Sequence, residues 1–408
     1  MKVLIFSTYF LPVVGGVQTC VLALAKGLAE QGAAEESSAR IEVTLATATP
    51  RGGMDDARLP FPVVRCPTRM QLRKLIRESD VVHIAGPSLL PMALAWFSAK
   101  PFFVEHHVYQ AVCPNGLLLL QPEKTLCPGY FSAAKYHRCF QCRTAEVGAF
   151  AAFRSVLLGF PRRWLCKRAT GNIAVTNHVK SRIAFPRSQT VYHGIETAGP
   201  PSASVALPSP SAVSPIQIAF VGRFVPEKGI PVLLHAAQQL QQEGVAFHLS
   251  LVGDGPQRAS LESISRELKI EGSVTFRGEL RGGDLQEALR QVSVVAMPSV
   301  WEETAGLAAI EHMMRGGVVI AADIGGLSEV VGDAGLKFAP GDAAALAGCI
   351  RKLSREPSLA ISLGAAARAR ARLLFSVKRM IDGHLALYRR SVKQRASSLR
   401  QGTLPDAS

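Results

Sequence analysis

The chain has 408 residues, 48% hydrophobic and 19% charged, which fits two or three globular domains and excludes a disordered chain. The net charge of +15 is uneven: residues 1–200 hold 23 basic and 12 acidic side chains, and residues 201–408 hold 23 and 19. A basic half suits nucleic acid, an anionic membrane or an anionic substrate, but the aromatic residues are not interleaved with the basic ones as a base-stacking platform needs, so nucleic acid is set aside.

No apolar run reaches the length of a membrane span. Met1 to Val14 carries one Lys and an apolar run, yet no convincing cleavage site follows. Val3 to Phe6 is better taken as a strand than as part of a signal peptide, and a cytoplasmic protein is expected. A loop closes on Gly15-Gly16, and Val17 to Glu30 has the apolar spacing of a helix. Further strands are expected at Ile41 to Thr47, Val63 to Arg65, Val81 to Ile84, Phe102 to His106 and Ile173 to Thr176, with helical segments such as Gln71 to Glu78 between them. That alternation predicts a parallel, doubly wound sheet, whose ligands bind beyond the carboxyl ends of the strands. His83, His106 and His107 stand at such ends, and His83 is expected to be structural.

Four of the eight cysteines, Cys113, Cys127, Cys139 and Cys142, fall within thirty residues, and Cys139 and Cys142 have a metal knuckle's spacing. In a reducing compartment this favours a structural zinc over disulfides. Iron–sulfur ligation and scattered thiols in an insertion are the alternatives. From 147 to 168, Phe150, Phe153, Leu157 and Leu158 can share a helix face among Arg154, Arg162, Arg163, Lys167 and Arg168. Two readings fit: a helix lying on an anionic membrane, or a core helix with surface arginines.

Thr197 to Pro215 is rich in Pro, Ser and Ala without charge, and is expected to be a linker. A second alternating region follows, with strands at Ile218 to Val221, Phe247 to Val252, Val274 to Phe276, Val292 to Met297 and Val318 to Ala321. Helices are expected at Pro231 to Glu243, Gln257 to Leu268, Asp284 to Gln291 and Leu307 to Met314. Its first strand runs into Gly222-Arg223-Phe224-Val225-Pro226-Glu227-Lys228-Gly229, where two cations around a Gly turn suit a diphosphate. The run Pro298-Ser299-Val300-Trp301-Glu302-Glu303-Thr304-Ala305-Gly306-Leu307 joins a buried strand to a helix start. Its amides suit an anion, while Glu303 and Glu311 can accept from sugar hydroxyls on either side. Such a set fits a nucleotide-sugar.

At these residues the chain resembles the retaining glycosyltransferases of family four. The resemblance rests on Pro298, Ser299, Glu303, Gly306, Glu311, Gly316 and Gly317, the turn Gly325-Gly326-Leu327-Ser328-Glu329, the Gly222-Arg223 to Lys228-Gly229 pattern and Gly253-Asp254-Gly255-Pro256. Departures are Ala305 for the usual Phe, Val318 for Pro, Val108 for Asp, and His193 and Glu196 in an Asn-Gly-Val-Asp-like turn. The resemblance implies an α/β GT-B fold, two doubly wound Rossmann-like domains facing across a cleft. The expected divisions are 1–196 with a Cys-rich insertion at about 108–168, a linker at 197–215, a nucleotide-sugar domain at 216–374, a returning helix at 375–395 and a loose tail at 396–408.

It also implies roles. His107 would lie near the transferred sugar, with His106 the fallback one register away. Arg223 and Lys228 would neutralise the leaving diphosphate, and Glu303 would hold sugar hydroxyls. Thr304, Ala305, Gly306 and Leu307 would present amides to the diphosphate, with Gly15 and Gly16 nearby. Glu311 would take the ribose hydroxyls, and the Arg277 stretch would read the base. No Asp-x-Asp motif appears, so no catalytic metal or other cofactor is expected. The implied reaction moves a hexose, with retention, from a UDP- or GDP-sugar to a glycan or lipid-linked acceptor, beside the inner face of the cytoplasmic membrane. The alternatives are a nucleotide-sugar epimerase of the same fold and a non-catalytic polyanion-binding protein.

Overall fold

The structure is a computed structural model and describes residues 1–13, 15–34, 40–196 and 215–400. It divides into two compact units, one of residues 1–118, 128–196 and 376–408, the other of residues 119–127 and 197–375.

In the first unit the elements run β1 (Lys2–Ser7), α1 (Gly16–Ala34), β2 (Glu42–Thr47), β3 (Val63–Arg65), α2 (Arg69–Glu78), β4 (Val81–Ala85), α3 (Leu89–Phe97), β5 (Phe102–His106), α4 (Tyr136–Val147), α5 (Ala149–Arg168), β6 (Gly171–Ala174), α6 (Asn177–Ile183) and β7 (Ser188–Thr190). All seven strands are parallel, in the order β3-β2-β1-β4-β5-β6-β7. Strands covered on both faces need continuous apolar runs, and Val3 to Phe6 and Val81 to Ala85 are buried throughout. Local signals agree: Thr68 and Gln71 form a reciprocal capping box at the start of α2.

The second unit repeats the plan with β8 (Ile216–Val221), α7 (Ile230–Gln242), β9 (Phe247–Val252), α8 (Arg258–Glu267), β10 (Val274–Gly278), α9 (Gly282–Ala288), β11 (Val294–Met297), α10 (Leu307–Arg315), β12 (Val318–Ala322), α11 (Gly325–Val331), β13 (Leu336–Phe338), α12 (Ala343–Arg355) and α13 (Pro357–Leu374). Its parallel sheet has the order β10-β9-β8-β11-β12-β13. The chain then returns to the first unit as α14 (Val377–Arg400), which packs Met380, Ile381, Leu385 and Tyr388 into the first core with Leu24, Leu28 and Val191.

Several boundaries differ from expectation. The strand expected at Ile173 to Thr176 lies two residues earlier, because Thr176 caps α6 through Val179 N. The returning helix continues through residues 396–400 that were expected to be tail, while 401–408 lie outside the described residues. The linker at 197–215 also lies outside them up to residue 214. β7 (Ser-Gln-Thr) and β13 (Leu-Lys-Phe) carry no consecutive apolar run of the kind that marks most of the other strands. Both sheets reverse direction of growth between their first strand and their fourth, at β1/β4 and at β8/β11. Ligands of such sheets gather at the carboxyl ends there.

Candidate active site

In the second unit the loops after β8 and β11 leave neighbouring strands at that reversal, so two motifs 75 residues apart in sequence meet. Lys228 Nζ donates to Glu303 Oε1 at 2.8 Å. Ser299 Oγ donates to the same carboxylate oxygen. Trp301 lies beneath the ammonium, 5.9 Å from Nζ to the ring centroid. Backbone bonds tie the loops together: Val300 N donates to Glu227 O at 3.0 Å, and Gly326 N to Glu303 O at 2.6 Å. Glu303 is 3% exposed, and a buried carboxylate needs this compensation.

Two glycines make the arrangement possible. Gly306 precedes α10 with φ +80°, a conformation that turns the chain directly from the Glu303 loop into the helix. Gly325, at φ +63°, passes so close to the Glu303 loop that a Cβ there would lie 2.7 Å from the Glu303 carbonyl oxygen. Thr304 to Leu307 therefore run into the first turn of α10, where helix amides favour an anion.

Glu311 lies on α10, half-buried. Burial raises its carboxyl pKa, while Arg315, one turn on, pulls the other way. Arg223 is far more open, with 76% of its side chain exposed and Glu227 at 4.0 Å as its ion-pair partner. Arg277 is exposed on β10, followed by Gly278, whose carbonyl accepts from Gly253 N at 2.8 Å.

In the first unit Gly15 and Gly16 open α1 after β1, and Gly15 O accepts from Thr19 N at 3.0 Å. His107 follows β5, its Nε2 3.2 Å from Glu105 Oε2. Its ring stacks on His193, with centroids 5.2 Å apart and planes 10° from parallel. His106 turns instead into the core, bonding Asn172 Oδ1 at 2.9 Å, and burial pushes its pKa down to about 4. His83 is buried, as a structural histidine should be, but it bonds Glu105 rather than standing alone. Sequence reasoning passed over Glu105, although a lone carboxylate in the apolar run Phe102-Phe103-Val104-Glu105 was a usable signal. It also passed over His384 and Tyr388 on α14, whose pairing with β4 and β5 no local pattern announces.

Of the clustered cysteines, Cys113 Sγ donates to Asn115 Oδ1 at 2.9 Å, and Asn115 Nδ2 donates to Cys142 Sγ at 3.6 Å. Cys139 is buried on α4, and Cys127 is buried in the segment grouped with the second unit. Helix α5 settles its own two readings in part. Phe150, Phe153, Leu157, Phe160 and Trp164 all face solvent, led by Phe150 at 82%, so this stripe is not a core face. Among the described residues no helix is long and apolar enough to cross a membrane.

Comparisons with known proteins identify the family. The family model for glycosyl transferases group 1 matches residues 208–370, and that for Glycosyltransferase Family 4 matches residues 14–198. The chain belongs to the family-four, group 1 glycosyltransferases. The chain is similar to the 2-deoxystreptamine glucosyltransferase of Streptomyces kanamyceticus, 32% identical over 48% of this chain and 54% of that protein. It is also similar to the D-inositol 3-phosphate glycosyltransferase of Rhodococcus erythropolis, 34% identical over 43% and 41%. The matches span about half the length of these curated relatives. Among solved structures, Anabaena HepE in complex with UDP and glucose aligns with a TM-score of 0.68 at 18% identity, covering 95% of this chain and 98% of that one. Sucrose-phosphate synthase from Thermosynechococcus elongatus gives 0.68 at 21%, covering 96% and 99%. Both likenesses establish the GT-B type of fold, two Rossmann-like parallel-sheet units.

Proposed function

We propose that this glycosyltransferase moves a hexose from a UDP- or GDP-sugar to a hydroxyl of a glycan or lipid-linked acceptor, with retention at the anomeric carbon. The observation that carries the reading is the Lys228–Glu303 pair set beside the amides that open α10. The bond from the anomeric carbon to the departing phosphate oxygen breaks, and the acceptor oxygen bonds the same face. The acceptor's proton passes to the departing phosphate. Lys228 and Arg223 absorb the negative charge of that phosphate, which grows as the bond breaks. Glu303 takes sugar hydroxyls and Glu311 the ribose hydroxyls. The Arg277 stretch meets the base, and His107 serves the transferred sugar. HepE's complex with UDP and glucose supports a uridine donor by analogy.

The test is a thermal-shift panel of UDP- and GDP-sugars followed by turnover with the best donor. A rise in Tm with one donor class is expected. No shift with any sugar nucleotide, together with a rise on adding heparin, would overturn the reading in favour of a polyanion binder. Isomerised sugar released without acceptor would point to an epimerase.

Two accessory features belong to the same proposal. The exposed stripe of α5, rimmed by Arg154, Lys167 and Arg168, would lie on an anionic membrane surface, where a lipid-linked acceptor is presented. Failure to co-sediment with anionic vesicles at low salt would remove this part. The clustered cysteines would hold one structural zinc; Asn115, bonded to Cys113 and Cys142, would support those thiols. Four thiolates leave no open position for substrate. About one zinc per chain, lost in Cys139→Ser, is the expected result, and absence of both zinc and iron would exclude it.

A further inference from the structure

Glu105 sits on β5, 3% exposed, among groups from four parts of the first unit. His83 on β4 places Nε2 3.2 Å from Glu105 Oε2, and His107 places Nε2 3.2 Å from the same oxygen. His384 on α14 places Nε2 3.6 Å from Oε1. Tyr388, one turn further along α14, bonds His83 Nδ1 at 2.8 Å, and His193 covers the far face of His107.

Protons can be assigned by asking which groups are only able to accept. His384 Nδ1 lies 2.8 Å from the Met380 carbonyl, which has no proton to give, so Nδ1 carries one. His384 Nε2 is fully buried, has no hydrogen-bond partner, and lies 3.6 Å from a carboxylate oxygen, which also only accepts. Without a second proton two lone pairs would oppose each other. A second proton on Nε2 would replace that opposition with an ion pair to Glu105. His83 has a different neighbour: the Tyr388 hydroxyl can donate to Nδ1, so neutral His83 suffices, with its proton on Nε2. Burial keeps Tyr388 protonated by raising its pKa well above 10, and Glu105 adds to this. Burial also pushes His83 down and His193 to about 3, so both are neutral. Burial would raise the Glu105 carboxyl, but His107, His384 and His83 together outweigh it and hold the group well below the usual carboxylate range. One carboxylate and one imidazolium would leave the pocket neutral, as a sealed interior requires.

We propose that Glu105 and His384 are positioning residues for the transfer reaction: the His384 imidazolium fixes the Glu105 carboxylate, which holds His107 with its proton on Nε2 and its ring flat against His193. The inference rests on His107 serving the transferred sugar. A divalent cation between His83, Glu105 and His384 is the rival arrangement, since the three ligand atoms lie within 4.8 Å of one another. It would leave one buried positive charge without a partner, and the proton accounting needs no such ion.

The test has three readouts. In long-range proton–nitrogen spectra of the wild type, the His384 ring, identified by its loss in His384→Gln, should show the imidazolium signature at pH 7.5. Glu105→Gln should lower kcat by about 100-fold, the scale of loss when a group near the reacting atoms is misplaced by about 1 Å. It should also shift the pH profile of kcat and leave KM for the donor within about threefold. A neutral His384 ring, or Glu105→Gln with unchanged kcat and pH profile, overturns the proposal. So does a metal present in the wild type and lost in His384→Gln but not in Cys139→Ser. Should the wild type transfer no sugar from any donor, the functional reading fails, while the imidazole spectra still decide the protonation of His384.

Discussion

Glu105 and Glu303 invite comparison. Both are 3% exposed, and both belong to the carboxyl side of a central parallel strand, one in each unit. Their partners differ. Glu105 is met by three histidine rings that are themselves sealed, with side-chain exposures of 4% or less. Glu303 is met by Lys228, whose side chain is 18% exposed on a long flexible stem. A partner that water can reach can also be claimed by an incoming diphosphate, whereas the fully sealed His83 and His384 can only hold Glu105 and, through it, His107 in place. The same residue type thus reads as ligand-handling in one unit and as positioning in the other.

The largest expected effect is on the open pair. Lys228→Ala should lower kcat by about 10³-fold or more, the scale seen when a charge-stabilising donor is removed. The accompanying loss of Tm should stay within about 4 °C, because water can replace the ammonium. Activity assay and calorimetry on one preparation check both halves. Near-normal turnover would refute the assignment of Lys228. A collapse of the fold would show that this pair is as structural as the Glu105 ring and would erase the contrast.

Arg223 sharpens the point, since it is exposed and takes no part in the Glu303 pair. Arg223→Ala should cost about 10²-fold in kcat with no measurable change in Tm. Equal losses in stability and activity would place its role in the fold.

The sealed histidines make a pH prediction. His106 and His193 of the first unit have pKa values pushed by burial to about 4 and about 3, and His312 of the second to about 4. Unfolded histidine titrates near 6.5, so between pH 6.5 and 4 the unfolded chain binds protons that these rings refuse. The stability they contribute is present above pH 6.5 and lost as pH falls through that window, by an order of about 3 kcal/mol per ring at its lower end. Glu105 adds a loss only at still lower pH, as its depressed carboxyl finally protonates. Hydrogen exchange at pH 7 and pH 5 should show the β5–β6 region of the first unit losing protection ahead of β8 and β9. Equal loss in both units would contradict this.

How much of this was legible beforehand depends on locality. The sheets announce themselves because parallel strands must be apolar on both faces, and the Arg223–Lys228 and Glu303–Glu311 motifs are contiguous stretches. The meeting of Lys228 with Glu303 follows from one topological rule, reversal at β8/β11. The Glu105 ring gathers side chains from β4, β5, the loop before the second unit and a helix about 280 residues later, and no window of sequence contains it. The α5 stripe was visible as a pattern, but amphipathic spacing does not say which face meets solvent; that depends on what α3 and α4 cover.

The smallest effect concerns Glu311, which is expected to meet ribose hydroxyls and has no lysine partner like that of Glu303. Burial raises its pKa, so in the unliganded protein the charged form is disfavoured and becomes protonated at a higher pH than an exposed glutamate. Ribose hydroxyls donating to the carboxylate would stabilise the charged form and lower that pKa. Donor affinity should therefore be full above the raised pKa and weaken as pH falls through it. Glu311→Gln keeps the shape and one acceptor oxygen but loses the charge. It should raise KM for the donor by about tenfold at pH 7.5, the worth of one hydrogen bond to a charged group. The ratio of variant to wild type should shrink toward unity as pH falls and the native carboxyl becomes increasingly neutral. A ratio independent of pH would mean that Glu311 acts through packing on α10 and that the ribose is held elsewhere.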